Sequence, residues 1–157
     1  FPNLRGKSYI VLDQSSSLTG YCVVLPGGKF EHGDFVPSKD KDFESRCFEV
    51  AQLLTELIEK HDPAFVAFES IYMSANASVA MKLGALLGML ELVAMSNDVP
   101  FAVVESMRWK NFFSITGSRD EQKAESIAQA SQYIKNVTED SADAFNMARY
   151  IWQNQEK

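Results

Sequence analysis

Two short apolar runs that each reach an acidic residue constrain the fold of this chain most. Residues 8–14 are rich in β-branched and aliphatic side chains and contain Asp13, and residues 64–69 have the same character and end at Glu69. Runs of this length and composition predict buried β-strands. A buried carboxylate is costly unless it is paired, protonated or bound to a metal ion. Both strand ends are therefore candidate functional positions.

The remaining patterns alternate between short strands and amphipathic helices. Pro26-Gly27-Gly28 predicts the turn of a hairpin, and Ser106 is the expected N-cap of a short helix. The predicted strands cover residues 8–14, 20–25, 29–36, 64–69 and 100–105, and the predicted helices cover residues 40–61, 78–97, 106–113, 119–134 and 139–152.

This order of elements predicts an α/β fold, with a mixed five-stranded sheet and helices on both faces. Right-handed crossovers place the first strand at the centre, beside the strand that ends at Glu69. The sequence shows no linker or internal repeat, so we expect one domain over residues 1–157. In such sheets, ligands bind at the carboxyl ends of the strands, where the strand order switches.

Two further acids lie at the start of the last predicted helix. Asp140 and Asp143 are three residues apart and share a helix face, with small residues between them. Each alone also fits a role in capping the helix and complementing its dipole. If the helix approaches the sheet end, however, these two acids meet Asp13 and Glu69.

Four converging carboxylates favour hard cations, because all-oxygen ligand sets select Mg²⁺ or Mn²⁺ rather than zinc. Two such ions about 4 Å apart can clamp the attacking water and the leaving oxygen of a phosphodiester. The candidate catalytic and metal-binding residues are therefore Asp13, Glu69, Asp140 and Asp143. This chemistry needs no histidine, and we expect His32 and His61 to lie outside the cluster.

The predicted helix over residues 78–97 is apolar nearly all round. One stripe contains Val79, Leu83, Leu86, Leu90 and Val93, and a nearly opposite stripe contains Met81, Ala85, Gly88, Leu92 and Met95. Such a helix must be covered on both sides. We expect the sheet on one side and a second subunit on the other; a neighbouring helix of the same chain is the alternative. Because Lys82 and Glu91 interrupt the apolar run, we expect no membrane span.

Four segments in order resemble the motifs of RuvC-type Holliday junction resolvases, which have a ribonuclease H-like fold. In the first, Asp13 is followed six residues later by Thr19-Gly20. The others are Phe68-Glu69-Ser70-Ile71-Tyr72-Met73 with Asn76 and Met81-Lys82-Leu83-Gly84, then Gly117-Ser118 with Lys123, and finally Asp140-Ser141-Ala142-Asp143-Ala144. The resemblance spans roughly residues 8–150. The chain departs from the family at Gln14-Ser15, where Pro-Gly is usual.

The resemblance implies a homodimer that cuts two strands across a DNA junction with Mg²⁺. It assigns the metal to the four acids and places Tyr72 near bases at the junction centre. Separately, Cys22 and Cys47 lack metal or redox spacing, which predicts reduced thiols in a cytoplasmic protein. The formal net charge of −6 argues against DNA binding, because nucleic-acid-binding proteins usually carry a basic surface. A local basic patch is sufficient, however. The expected DNA-binding residues that flank the metal site are Lys82, Arg108, Lys110, Arg119 and Lys123, although each alone also fits a solvated face.

Three other functions fit parts of the sequence. A ribonuclease H-like nuclease could act instead on flaps or on RNA–DNA hybrids, and a junction-binding protein could hold branched DNA without cutting it. An actin-like ATPase or sugar kinase also has an aspartate followed by Thr-Gly after its first strand. It needs glycines beside phosphate, where this chain has Gln14-Ser15-Ser16, and a second lobe that 157 residues do not accommodate.

Overall fold

A computed structural model describes residues 1–71 and 76–157 of the chain. Its strands are β1 (Tyr9–Asp13), β2 (Thr19–Val24), β3 (Phe30–Phe35), β4 (Val66–Glu69) and β5 (Phe101–Val104). They form one sheet in the order β3-β2-β1-β4-β5, in which β1 is antiparallel to β2 and parallel to β4, and β4 is parallel to β5. The prediction of a mixed five-stranded sheet with the first strand at its centre is confirmed.

The helices are α1 (Phe43–His61), α2 (Ala77–Ser96), α3 (Ser106–Phe112), α4 (Arg119–Ala130) and α5 (Glu139–Gln153). Three predicted helix boundaries are wrong. Helix α1 begins at Phe43 rather than Asp40, because the Asp42 side chain caps it by accepting from the Ser45 amide. Ser106 is the first residue of α3 rather than its N-cap, because Glu105 takes the capping position, and it does so without a side-chain hydrogen bond. Helix α4 ends at Ala130 rather than Ile134, because the Gln132 and Tyr133 amides donate to carbonyls three residues back instead of four.

The two faces of the sheet carry separate cores. On β1, Tyr9 and Val11 pack into the core that holds α3, α4 and α5, whereas Ile10 and Leu12 pack into the core beneath α1 and α2. Side chains alternate between faces along a strand. Asp13 therefore continues the row of Tyr9 and Val11, on the face that α5 covers. Helices thus cover both faces of the sheet, as the order of elements predicts.

Helix α2 packs on the sheet side through Leu86, Leu90 and Ala94 and leaves its second stripe in solvent. By length and composition alone it is also apolar enough to cross a membrane, with a hydropathy of 1.6. The expectation that Lys82 and Glu91 exclude a membrane span is therefore wrong by these two criteria. This is weak evidence for a membrane helix, because α2 packs against α1 as part of the fold.

Candidate active site at the carboxyl ends of the central strands

The two strand-end acids lie side by side. Leu12 pairs with Phe68 across β1 and β4, so the next position along each strand brings Asp13 beside Glu69. On the β4 side, Phe65 and Ala67 belong to the core beneath α5, and alternation places Glu69 on that same face. After burial, the charge of the nearby Glu69 is the next largest cause that raises the pKa of Asp13. Sequence spacing and sheet topology together therefore account for this pair.

The start of α5 reaches the pair because β2 carries a glycine there. Gly20 is the partner of Asp13 across β1 and β2. A Cβ atom at Gly20 would lie 2.2 Å from the backbone oxygen of Asp140, a separation that no side chain could relieve without moving the helix. The neighbouring Thr19 hydroxyl donates to the Ser15 carbonyl at 2.8 Å and accepts from the Ser15 amide at 3.1 Å. Thr19-Gly20 thus closes the loop after Asp13 and admits the helix.

Acids and bases line one cavity of about 220 Å³ at this edge of the sheet. Three of the predicted metal-binding acids line it, and so do three of the predicted DNA-binding residues. The lining residues are Asp13, Lys110, Arg119, Gln122, Lys123, Glu139, Asp140 and Asp143. The cavity therefore sets a concentrated negative charge within reach of three cations, which suits a site that holds both a divalent cation and a phosphate.

The electrostatics of the acids show how closely they converge. Burial raises the pKa of Asp13 well above its usual value, and the nearby Glu69, Asp143 and Asp140 carboxylates raise it further. Burial also raises the pKa of Asp143 to about 6, although a hydrogen bond from Ser126 and the charge of Lys110 oppose that shift. The pKa of Asp140 is raised by burial and then by Glu139 and Asp34. A bound cation would relieve all three shifts.

The donor set fits a hard divalent cation in its chemistry. It offers carboxylate oxygens from two strand ends and one helix, and the raised pKa values of Asp13, Asp140 and Asp143 mark charge that lacks sufficient compensation. Within residues 1–71 and 76–157, no three His, Cys, Asp or Glu side chains stand close enough, as positioned, to hold one ion. Coordination of one ion by three of these side chains therefore requires them to move closer together.

Two of the predicted DNA-binding residues do not flank the acids. The Lys82 ammonium lies 5.6 Å from the centre of the Phe43 ring, on the α1 and α2 side of the sheet. Arg108 pairs with Glu105 at 3.3 Å and faces a separate hollow beside Tyr150. Lys82 and Arg108 lie near the motifs in the sequence, but that proximity does not determine which face of the sheet they occupy. Tyr72 lies outside the described residues.

Several residues at the site have no signal in the sequence. Glu139 lines the cavity and pairs with Lys123 at 2.6 Å, and the buried Trp109 indole donates to Glu69 at 3.2 Å. Both contacts depend on how helices pack on the sheet, so neither could be predicted from spacing. The two histidines do lie away from the cavity: His61 is 3.1 Å from Glu31, and His32 pairs with Cys22 across the sheet.

The sheet order and the helices on both of its faces define a ribonuclease H-like fold. The structure matches that of Thermus thermophilus RuvC in complex with a Holliday junction substrate, with a TM-score of 0.74 and 17% identity over 96% of this chain and 98% of that one. It also matches the yeast mitochondrial Holliday junction resolvase, with a TM-score of 0.61 and 16% identity over 94% of this chain and 78% of that one.

The sequence comparisons are more specific. The family model for the crossover junction endodeoxyribonuclease RuvC matches residues 10–149. The chain is 27% identical to the RuvC of Citrifermentans bemidjiense over 142 residues, which cover 87% of each chain. It is 28% identical to that of Bdellovibrio bacteriovorus over 144 residues, or 88% of this chain and 86% of the relative. The chain therefore belongs to the RuvC family and is an endodeoxyribonuclease, as the motifs predict.

Gln14, one of the residues that depart from the family pattern, joins the two central strands beyond their last backbone pair. Its side-chain Nε2 donates to the Glu69 carbonyl at 2.7 Å, and the Glu69 amide donates to its Oε1 at 3.1 Å. The side-chain amide thus takes the place of a further backbone partner and holds Glu69 beside Asp13. This contact gives the departure at Gln14 a structural role.

Replacing Gln14 with methionine should loosen Glu69 without changing any charge. We expect the cutting rate to fall about 10- to 100-fold, the range typical of residues that orient metal ligands. Gln52→Met, on an exposed face of α1, is the matched control and should cut like the parent. Single-turnover cleavage of a four-way junction measures both variants. A parental rate in Gln14→Met would show that the strand ends hold Glu69 without this amide.

Proposed function

We propose that this protein cuts two strands of a four-way DNA junction with a two-Mg²⁺ site formed by Asp13, Glu69, Asp140 and Asp143. One observation carries the proposal: acids from β1 and α5 line a cavity that also contains three basic side chains, and Glu69 on β4 lies beside Asp13. Mn²⁺ should substitute for Mg²⁺, because both ions prefer oxygen ligands. The metal-binding unit and its supporting sheet lie within one domain over residues 1–157.

The protein's own groups divide the work of phosphodiester hydrolysis. Asp13 is catalytic and central, because burial and then the charges of the other three acids raise its pKa. When bound, the divalent ions supply an activated water and stabilise the leaving oxygen. Lys110, Arg119 and Lys123 bind the scissile phosphate from the cavity wall. Trp109 and Gln14 hold Glu69 in place, through its carboxylate and its backbone respectively.

The DNA surface extends beyond the cavity in this proposal. Lys82 and Arg108 contact more distant phosphates, and Tyr72 engages bases near the junction centre. Each phosphate contact adds to the salt dependence of binding, because counterions are released from the DNA. A chain with a net charge of −6 has little long-range attraction to offset that loss. Junction binding should therefore weaken steeply as the salt concentration rises.

A homodimer through α2 completes the proposal. The second stripe of α2 is exposed in the single chain: Met81 is 76% exposed and Leu92 and Met95 are each 63% exposed. An isologous pair of helices would cover these side chains on both copies. Two-fold symmetry then places two identical sites on either side of the two-fold axis of a four-way junction, which explains paired cuts. We propose that the dimer acts in the cytoplasm.

Cleavage of a labelled four-way DNA junction tests the function. With Mg²⁺ we expect symmetric cuts in two opposite strands, and with EDTA we expect none. A linear duplex, a flap and an RNA–DNA hybrid are the matched substrates, and the junction should be cut in preference to each. Preferred cutting of the flap or the hybrid would favour a ribonuclease H-like nuclease with another substrate. Tight junction binding without cutting would favour a protein that only holds branched DNA.

A further inference from the structure

A chain of polar groups runs behind Asp143, away from the cavity. The Ser126 hydroxyl donates to Asp143 Oδ1 at 2.5 Å, and Asn146 Nδ2 donates to the Ser126 hydroxyl at 3.0 Å and to the Ser126 carbonyl at 2.9 Å. Arg149 Nη1 in turn donates to Asn146 Oδ1 at 3.0 Å. Ser126 and Asn146 are both 0% exposed. Buried polar groups are costly, so such a chain persists only when every member is satisfied.

The direction of each hydrogen bond follows from the group at the far end. A guanidinium can only donate, so Asn146 must turn its oxygen toward Arg149 and its nitrogen toward Ser126. An amide nitrogen also only donates, so the Ser126 hydroxyl accepts from Asn146. Its single proton is then left for Asp143. The Arg149 charge therefore fixes which way the Ser126 hydroxyl points.

The guanidinium itself is held by two aromatic rings. It lies 4.4 Å from the centre of the Phe113 ring and 4.4 Å from the centre of the Tyr133 ring. Contacts of this kind attract a cation to the ring face and restrict its rotation. The polar chain is thus anchored at one end by a sandwiched arginine and ends at the other on one oxygen of Asp143. The second Asp143 oxygen is not part of the chain.

We propose that Arg149, Asn146 and Ser126 form a positioning relay that holds one oxygen of Asp143 and presents the other to a divalent cation. None of the three lines the cavity, so they are positioning residues rather than catalytic ones. The relay rests on the proposed metal site at Asp143. A donor fixed on one carboxylate oxygen restricts the rotation of that carboxylate, and this strengthens metal binding.

Two variants test the relay through metal binding in the absence of DNA. Ser126→Ala removes only the hydroxyl that donates to Asp143. Asn146→Asp keeps the side-chain shape and the pairing with Arg149, but its carboxylate accepts from Ser126 and draws the proton away from Asp143. We expect each variant to weaken Mn²⁺ binding about 10- to 100-fold, measured by titration calorimetry on the full chain. The added charge of Asn146→Asp would by itself strengthen binding, so a weaker affinity identifies the relay.

Tyr9→Phe is the matched control for lost stability. The buried Tyr9 hydroxyl donates to the Ala148 carbonyl of α5 at 2.9 Å, and Tyr9 lies at the opposite end of β1 from Asp13. Its removal should lower Tm by about 2–4 °C, as expected for the loss of one buried hydrogen bond, and leave Mn²⁺ affinity unchanged. A purely structural role for Ser126 would give the same pattern: a lower Tm with the parental affinity for Mn²⁺.

The outcomes separate the relay from the metal site itself. If Ser126→Ala and Asn146→Asp bind Mn²⁺ like the parent while Asp13→Asn does not, the relay is wrong and the metal site stands. If the parent does not bind Mn²⁺, both fail. Should Asn146→Asp not fold, Ser126→Ala decides alone, because loss of one hydroxyl is a small change. Ser126→Cys, with its weak donor, should fall between the parent and Ser126→Ala.

Discussion

Asp13→Asn is expected to abolish junction cutting while junction binding stays the same or becomes tighter. Asparagine keeps the shape of the side chain but removes a ligand and one negative charge from a cavity that faces phosphate. A metal clamp on a reacting phosphate is worth several kcal/mol, so cutting should fall by about 10³-fold or more. Gel-shift titration without metal and single-turnover cleavage with Mg²⁺ measure the two effects separately.

The same substitution should raise the stability of the metal-free protein at neutral pH. Burial and three neighbouring acids raise the pKa of Asp13 in the folded state, so the folded protein holds its proton more tightly than the unfolded chain does. The stability that this proton provides is fully present below the unfolded pKa and is lost as the pH rises through the folded pKa. The Asp13→Asn variant has no proton to lose at this position. Its Tm should therefore exceed that of the parent at pH 7 and equal it near pH 4.

Asp62→Asn is the matched control for this charge change. Asp62 follows α1 in a left-handed conformation that asparagine also adopts readily, and it lies away from the cavity. It should cut and bind like the parent, and its Tm should not gain the same dependence on pH. Parental turnover in Asp13→Asn would remove the two-metal proposal. Equal loss of cutting in both variants would point to a general effect of the protein's net charge.

The sequence predicted the fold and the four acids for physical reasons that act locally. Both central strands are short apolar runs that reach an acid, and parallel neighbours bring equivalent ends together, so Asp13 and Glu69 had to meet. Asp140 and Asp143 needed one more condition, a close approach of α5. The glycine at position 20 supplies it, since a Cβ there would overlap the Asp140 backbone. Thr19-Gly20 was visible in the sequence only as a motif.

The supporting residues could not be predicted, because their roles depend on side-chain contacts between distant segments. Ser126 meets Asp143 across α4 and α5, and Gln14 meets Glu69 across 55 positions of sequence. Polar residues of these types occur throughout a chain, and nothing in the local pattern separates them. The wrong prediction for Arg108 has a similar cause: the orientation of α3 turns this side chain toward Glu105 rather than toward the four acids.

Leu92→Glu is expected to convert the proposed dimer into a monomer. The second stripe repeats at alternating intervals of four and three residues, from Met81 through Ala85, Gly88 and Leu92 to Met95. That spacing keeps one apolar seam in register between two packed helices. Gly88 has no atom within 4 Å of a Cβ built on it, so the single chain leaves room for a partner helix to approach closely. A glutamate at Leu92 would place two buried like charges near the two-fold axis.

Sedimentation velocity at several protein concentrations decides the question. The parent should sediment as a dimer, and Leu92→Glu and Met95→Glu should sediment as monomers whose Tm no longer depends on concentration. Trp152→Glu is the control, because it adds the same charge to an exposed apolar side chain on α5, on the opposite face of the sheet. If Leu92→Glu sediments like the parent, α2 is not the interface. If it is monomeric and still makes paired cuts, then two sites held together are not needed to resolve a junction, because each strand would be cut by a separate encounter.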